Sequence, residues 1–146
     1  MSMNNDVNNS TDPAVKEARE KAQQAFMEMS RQILDLLPTL QDALDRMSVQ
    51  LEELKLESSA ELFSDFGKSV VSLSDSLPTV FFENDDIDKV NPHAAIVFDN
   101  ITALVERYET ENIPTIKSFL TSELMPNFKA FRQELEAALH KAFPPS

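Results

Sequence analysis

Apolar residues along this chain recur in steps of three and four, the period of an α-helix that buries one face. The first stretch sets Phe26, Met29, Ile33 and Leu36 on one seam and Leu37, Leu40, Leu44, Met47, Leu51 and Leu54 on another. The second seam is displaced from the first by one residue, at Leu36-Leu37-Pro38. An internal proline removes the bond to the carbonyl four residues back, here Leu34, and crowds that carbonyl. A one-residue insertion is also what a π-bulge adds. A straight helix over residues 13–56 would be about 66 Å long, so a bend or break at Pro38 is expected.

Three more helices follow from the same period. Phe63, Phe66, Val70, Leu73 and Leu77 predict one over 59–78, opened by a Ser58–Glu61 capping box and closing near Pro78. Ala94, Val97, Phe98, Ile101, Leu104, Val105 and Tyr108 predict one over 92–111, with Asn91 as cap and Pro92 in the first turn. Asn112 caps the last, over 113–143, with Pro114 in its first turn. Its seam of Ile116, Leu120, Leu124, Phe128, Phe131 and Leu135 shifts by one residue near Pro126, which predicts a second kink. The first helix starts at Thr11 or Asp12 with Pro13 in its first turn. Only "PTVFF" comes near a strand pattern. The expected fold is all-α, an antiparallel bundle of about four helices, with the first and last kinked at Pro38 and Pro126. Asn-rich residues 1–11 are expected to be a disordered tail ahead of a single domain over 12–146.

One phrase recurs: Leu-Pro-Thr-Leu at 37–40, Leu-Pro-Thr-Val at 77–80 and Ile-Pro-Thr-Ile at 113–116. The seams give the three copies different tasks. Pro38 kinks a helix, Pro78 closes one and Pro114 opens one.

Composition removes several chemistries. There is no cysteine, so disulfides, thiolate metal sites and cysteine nucleophiles are excluded. Gly67 is the only glycine, so no glycine-rich phosphate loop exists. The start lacks a basic, apolar leader, no apolar run approaches a membrane span, and the expected location is cytoplasmic. Neither His93 nor His140 lies in a Glu-x-x-His pair of the kind that di-iron bundles use. Glu136 and His140 share a helix face, but two ligands fall short of a metal site. Asp85, Asp86 and Asp88 bunch between helices, yet Lys89 and Ala95 stand where a calcium loop needs Gly and Glu. No metal or other cofactor is expected.

The net charge is −12, which disfavours nucleic acid and anionic membranes as partners. Residues 60–112 carry eleven Asp/Glu against Lys68, Lys89 and Arg107, a net of −8. That excess solubilises the surface and would attract a basic partner. Phe26, Phe63, Phe66, Phe98, Phe119, Phe128 and Phe131 lie on or beside the seams and read as core. Phe81 and Phe82 differ, because they follow a proline and precede the acidic cluster. They read as a lid on the bundle end or as a small exposed patch, and monomers seldom leave adjacent aromatics exposed.

The stretches "AELFSDFGKSV" and "FLTSELMPNFKAFRQELEAAL" resemble segments of small, acidic, all-helical bacterial proteins of unknown function. Ala60, Leu62, Phe63 and Asp65 match one pattern and Glu123, Leu124 and Pro126 the other. The resemblance implies a helical bundle and supplies no activity. The leading expectation is a non-enzymatic protein that works through protein contacts, with a basic or helical partner or a second copy of itself. Contact would involve Phe81, Phe82, Asp85, Asp86 and Asp88. One alternative is an export-chaperone or adaptor role, holding an amphipathic client helix. Another is a metal-dependent helical enzyme using its carboxylates.

Overall fold

The computed structural model describes residues 12–82 and 84–144, so the tail expected over 1–11 lies outside the described residues. Four helices pack together, and no strand occurs among the described residues. They are α1 (Pro13–Glu52), α2 (Leu56–Val80), α3 (Ile87–Thr110) and α4 (residues 113–142). The last comprises Ile113–Phe119, a π turn Leu120–Leu124, and Met125–Ala142. Each helix packs against its two neighbours in the cyclic order α1, α2, α3, α4. Contacts between α1 and α2 and between α3 and α4 are extensive, whereas α2 and α3 meet thinly. Phe66, Phe128 and Phe131 fill the centre, with Phe66 set edge-on to Phe128 at 5.4 Å between ring centroids.

α1 runs unbroken through Pro38. Its buried positions, Ser30, Ile33, Leu37, Leu40, Leu44, Met47 and Leu51, hold a steady three-four spacing. The displacement expected at Leu36-Leu37 therefore does not occur. Met29 and Leu36 form a second, half-buried column beside the seam, because a helix in a bundle buries a face wider than one column. In α4 the displacement is real. Buried Ile116, Leu120, Leu124 and Phe128 are spaced by four, and the π turn before Pro126 supplies the extra residue. The Met125 N–H bonds the Leu120 carbonyl, five residues back. This wider turn relieves the crowding that Pro126 would impose on the Ser122 carbonyl in an α-helix. On the solvent side, the Thr121 and Ser122 hydroxyls donate to the Lys117 and Ser118 carbonyls at 3.0 and 2.6 Å.

The three proline phrases share a burial pattern. Pro38, Pro78 and Pro114 are exposed, as are the threonines after them, while the aliphatic residues on either side face inward. A proline on the solvent side keeps its ring away from the core.

Caps explain the helix limits. Asp12 accepts from the Ala14 N–H at 2.9 Å, and Asn112 from the Thr115 N–H at 3.1 Å, as the sequence predicts. The Ser58 cap is not used, because α2 begins at Leu56 with no side-chain cap. Asn91 is no cap either: α3 begins at Ile87, and Asn84 organises the turn before it by accepting from the Asp86 N–H at 2.8 Å. Four-residue turns at Asp85 and Asp86 feed straight into that helix, so the acidic stretch is shorter as a loop than its composition implies.

α1 ends in a Schellman motif, with Lys55 N–H bonded to the Gln50 carbonyl and Leu54 N–H to that of Leu51. This places Leu54 at φ 62°, the left-handed region that glycine usually fills. Its side chain is 74% exposed and gains little from packing. Leu54→Gly is therefore expected to raise the unfolding free energy by about 1 kcal/mol, read from the urea midpoint. An unchanged or lower midpoint would contradict this account of the turn.

Candidate docking site between two helices

The acidic end of the bundle does not assemble into one site. Phe81 closes the core there, only 3% exposed, and its N–H bonds the Leu77 carbonyl at 2.9 Å. Phe82 points outward and is 68% exposed. Lid and patch are thus divided between the two rings. Asp86 is half-buried and pairs with Lys141 at 3.1 Å, fastening the end of α4 to the start of α3. Asp85 and Asp88 are exposed. Among the described residues, no group of three or more His, Cys, Asp or Glu is placed to hold a metal ion.

The thin contact between α2 and α3 creates a different feature. An open cleft of about 440 Å³ lies between them, lined by Phe63, Ser64, Gly67, Lys68, Val71, Ile101 and Val105. Its lining is mostly hydrocarbon. Val71 is 48% and Val105 43% exposed, so the apolar surface is open to solvent. By helical spacing, Glu61 and Asp75 lie one turn beyond its ends on α2, and Glu109 one turn past Val105 on α3. All three are exposed. The cleft is an apolar trough with an acidic rim, and Lys68 is the charged residue within it.

Gly67 forms part of the floor. A glycine inside a helix costs about 0.5–1 kcal/mol relative to alanine. Nothing in the fold requires that cost at residue 67. Its φ is not positive. A β-carbon there would meet only the Ile101 methyl at 3.9 Å, an ordinary contact. What the missing side chain does is leave the trough deeper.

One end of the cleft is locked. The Phe63 and Tyr108 rings stack at 5.4 Å, and the Tyr108 hydroxyl donates to Ser59 Oγ at 3.0 Å. Ser59, fully buried, donates in turn to the Leu56 carbonyl at 2.8 Å. This chain ties α3 to the first turn of α2. Burial pushes the Tyr108 phenol above its ordinary range, with the Ser59 hydrogen bond partly offsetting the shift.

The sequence held signals for this cleft. Gly67 was visible as the only glycine, and Val71 lies one step off the α2 seam. Neither signal could show that α2 and α3 stand apart, since that spacing depends on how four helices share one core.

Comparison with known proteins gives a family model, a domain of unknown function designated DUF8042, matching residues 28–134. The match begins where α1 enters the bundle and covers most of α4. No curated protein and no solved structure matches the chain.

Tyr108 is the only tyrosine and there is no tryptophan, so ultraviolet absorbance follows the titration of one phenol. A phenol with a raised folded pKa stabilises the fold fully below its unfolded value of about 10 and loses that contribution as pH rises through the folded value. Phenolate formation is therefore expected above the ordinary midpoint and together with loss of helical signal. Tyr108→Phe should weaken that alkaline dependence and cost about 1 kcal/mol at neutral pH. Titration at the ordinary value with the helices intact would show that the lock is open in solution.

Proposed function

The chain belongs to the DUF8042 family, a domain of unknown function, and from that premise we propose that it is a non-enzymatic binding protein that holds an amphipathic helix in the α2–α3 cleft. The carrying observation is the open apolar trough floored by Gly67. Helix-in-groove recognition needs such a trough, long enough to take residues spaced i, i+3 or i+4 and i+7 on one helix face. The acidic rim selects the occupant, which carries Lys or Arg beside its apolar stripe. This is the adaptor-like form of a protein-contact role, with the contact on the flank of the bundle. Phe82 and the exposed Asp85 and Asp88 are a secondary surface in this reading. A cytoplasmic location is part of the same proposal. No helix among the described residues is long and apolar enough to cross a membrane.

The test uses a labelled synthetic helix with an alanine-leucine stripe and lysine flanks. Fluorescence anisotropy should show saturable binding that weakens with salt, and a glutamate-flanked version should not bind. Val71→Glu and Gly67→Leu should each weaken binding at least about tenfold, or 1.4 kcal/mol, with helical content unchanged. Equal binding by the wild type and Val71→Glu would place the contact elsewhere and sink the proposal.

A further inference from the structure

Lys68 is out of keeping with its surroundings. Between residues 60 and 112 the cations are Lys68, Lys89 and Arg107, set among many acids. Arg107 is occupied: its guanidinium lies 4.0 Å from the centroid of the Phe119 ring and donates to the Ala103 carbonyl at 3.3 Å. Lys68 lines the apolar trough, and among the described residues no carboxylate pairs with it. Asp65, three residues back on the same helix, is left out of contact.

Ser64 stands one turn before Lys68 and lines the same wall of the cleft. Hydroxyls on these helices commonly donate to a carbonyl three or four residues back, as those of Ser59, Ser76, Thr110, Thr121 and Ser122 do. The Ser64 hydroxyl makes no such bond. Two free donors therefore stand on α2 with their β-carbons about 5–6 Å apart, close enough to meet one carboxylate. On the opposite wall α3 offers only hydrocarbon, from Ile101 and Val105.

A helix with a purely apolar face would press on Lys68 and strip water from its ammonium. A charge covered in that way without a partner costs free energy. A carboxylate at that point supplies the partner, and it accepts from the Ser64 hydroxyl as well, in charge-assisted hydrogen bonds. Resting on the proposed use of the cleft, we propose that Lys68 and Ser64 read one Asp or Glu of the bound helix, at the edge of its apolar stripe on the side that meets α2. The occupant then carries three chemistries. Its stripe faces Gly67, Ile101 and Val105, its single acid faces Lys68, and its Lys or Arg residues face Glu61, Asp75 and Glu109 on the rim. An acid elsewhere along the trough meets the rim carboxylates and is rejected. Because the donors line one wall only, the acid fixes both the register and the direction of the helix.

The test adds one glutamate to the lysine-flanked helix, at one stripe-edge position at a time. Anisotropy should find one position that binds about tenfold tighter than the parent helix, and the mirror position across the stripe should bind more weakly than the parent. In Lys68→Met the glutamate helix should bind no tighter than the parent. In Lys68→Glu a lysine at that position should be preferred to glutamate, and Ser64→Ala should cut the gain about threefold. A parent helix that binds with no gain at any position, or a gain that survives Lys68→Met, overturns the role of Lys68 and leaves the use of the cleft standing. Failure of every helix to bind overturns both. Decanoate, an apolar chain with a carboxylate, should not compete. Competition by it at the concentrations where the glutamate helix binds would make a lipid acid the occupant and overturn the inference.

Discussion

The bundle closes around one apolar seam on α1, from Ile33 to Leu51. α2 and α4 pack against α1, and α3 is held at the far side by α4 and, more thinly, by α2. Burial of this kind contributes about 25 cal/mol per Å² of apolar surface removed from water, and it dominates because few polar contacts join the helices. Among the described residues, Tyr108 on Ser59, Lys117 on Glu52 and Lys141 on Asp86 sit near helix ends, and Asn127 on Asn100 at 2.7 Å joins two helices at mid-length. The seam also sets the bundle's limits. Where its large apolar residues stop, packing stops, although the helix itself continues toward Pro13. Where α3 offers mostly half-buried residues, with Val90, Val97 and Leu104 fully buried, the contact with α2 thins into a cleft.

The fold was legible because its helices are long and amphipathic, and because Asp12 and Asn112 cap with their side chains. The Pro126 displacement was legible too, and the π turn is its structural form. At Pro38, two parallel columns on one helix face look in sequence like one column that shifts. A sequence shows which residues are apolar, but not how wide a face neighbouring helices will cover. The helix starts at Ser58 and Asn91 were misplaced for a related reason. Good capping residues also sit inside helices, and the true starts at Leu56 and Ile87 follow from turn hydrogen bonds that carry little sequence signal.

The site was less legible than the fold. Asp85, Asp86 and Asp88 attract notice by composition, yet Asp86 is engaged with Lys141 and Phe81 is in the core. The informative residue was the single glycine. The backbone's left-handed position is occupied by Leu54, and the glycine stands instead in mid-helix, where the fold gains nothing from it. That contrast separates a backbone need from a surface need, and only coordinates supply it.

Amide hydrogen exchange with and without the lysine-flanked helix tests the cleft most directly. The account predicts that cleft-lining amides of α2 and α3 gain protection when the helix is added, while amides of the Leu37–Leu51 seam stay protected throughout. Cleft amides that exchange equally fast with and without the helix would contradict it.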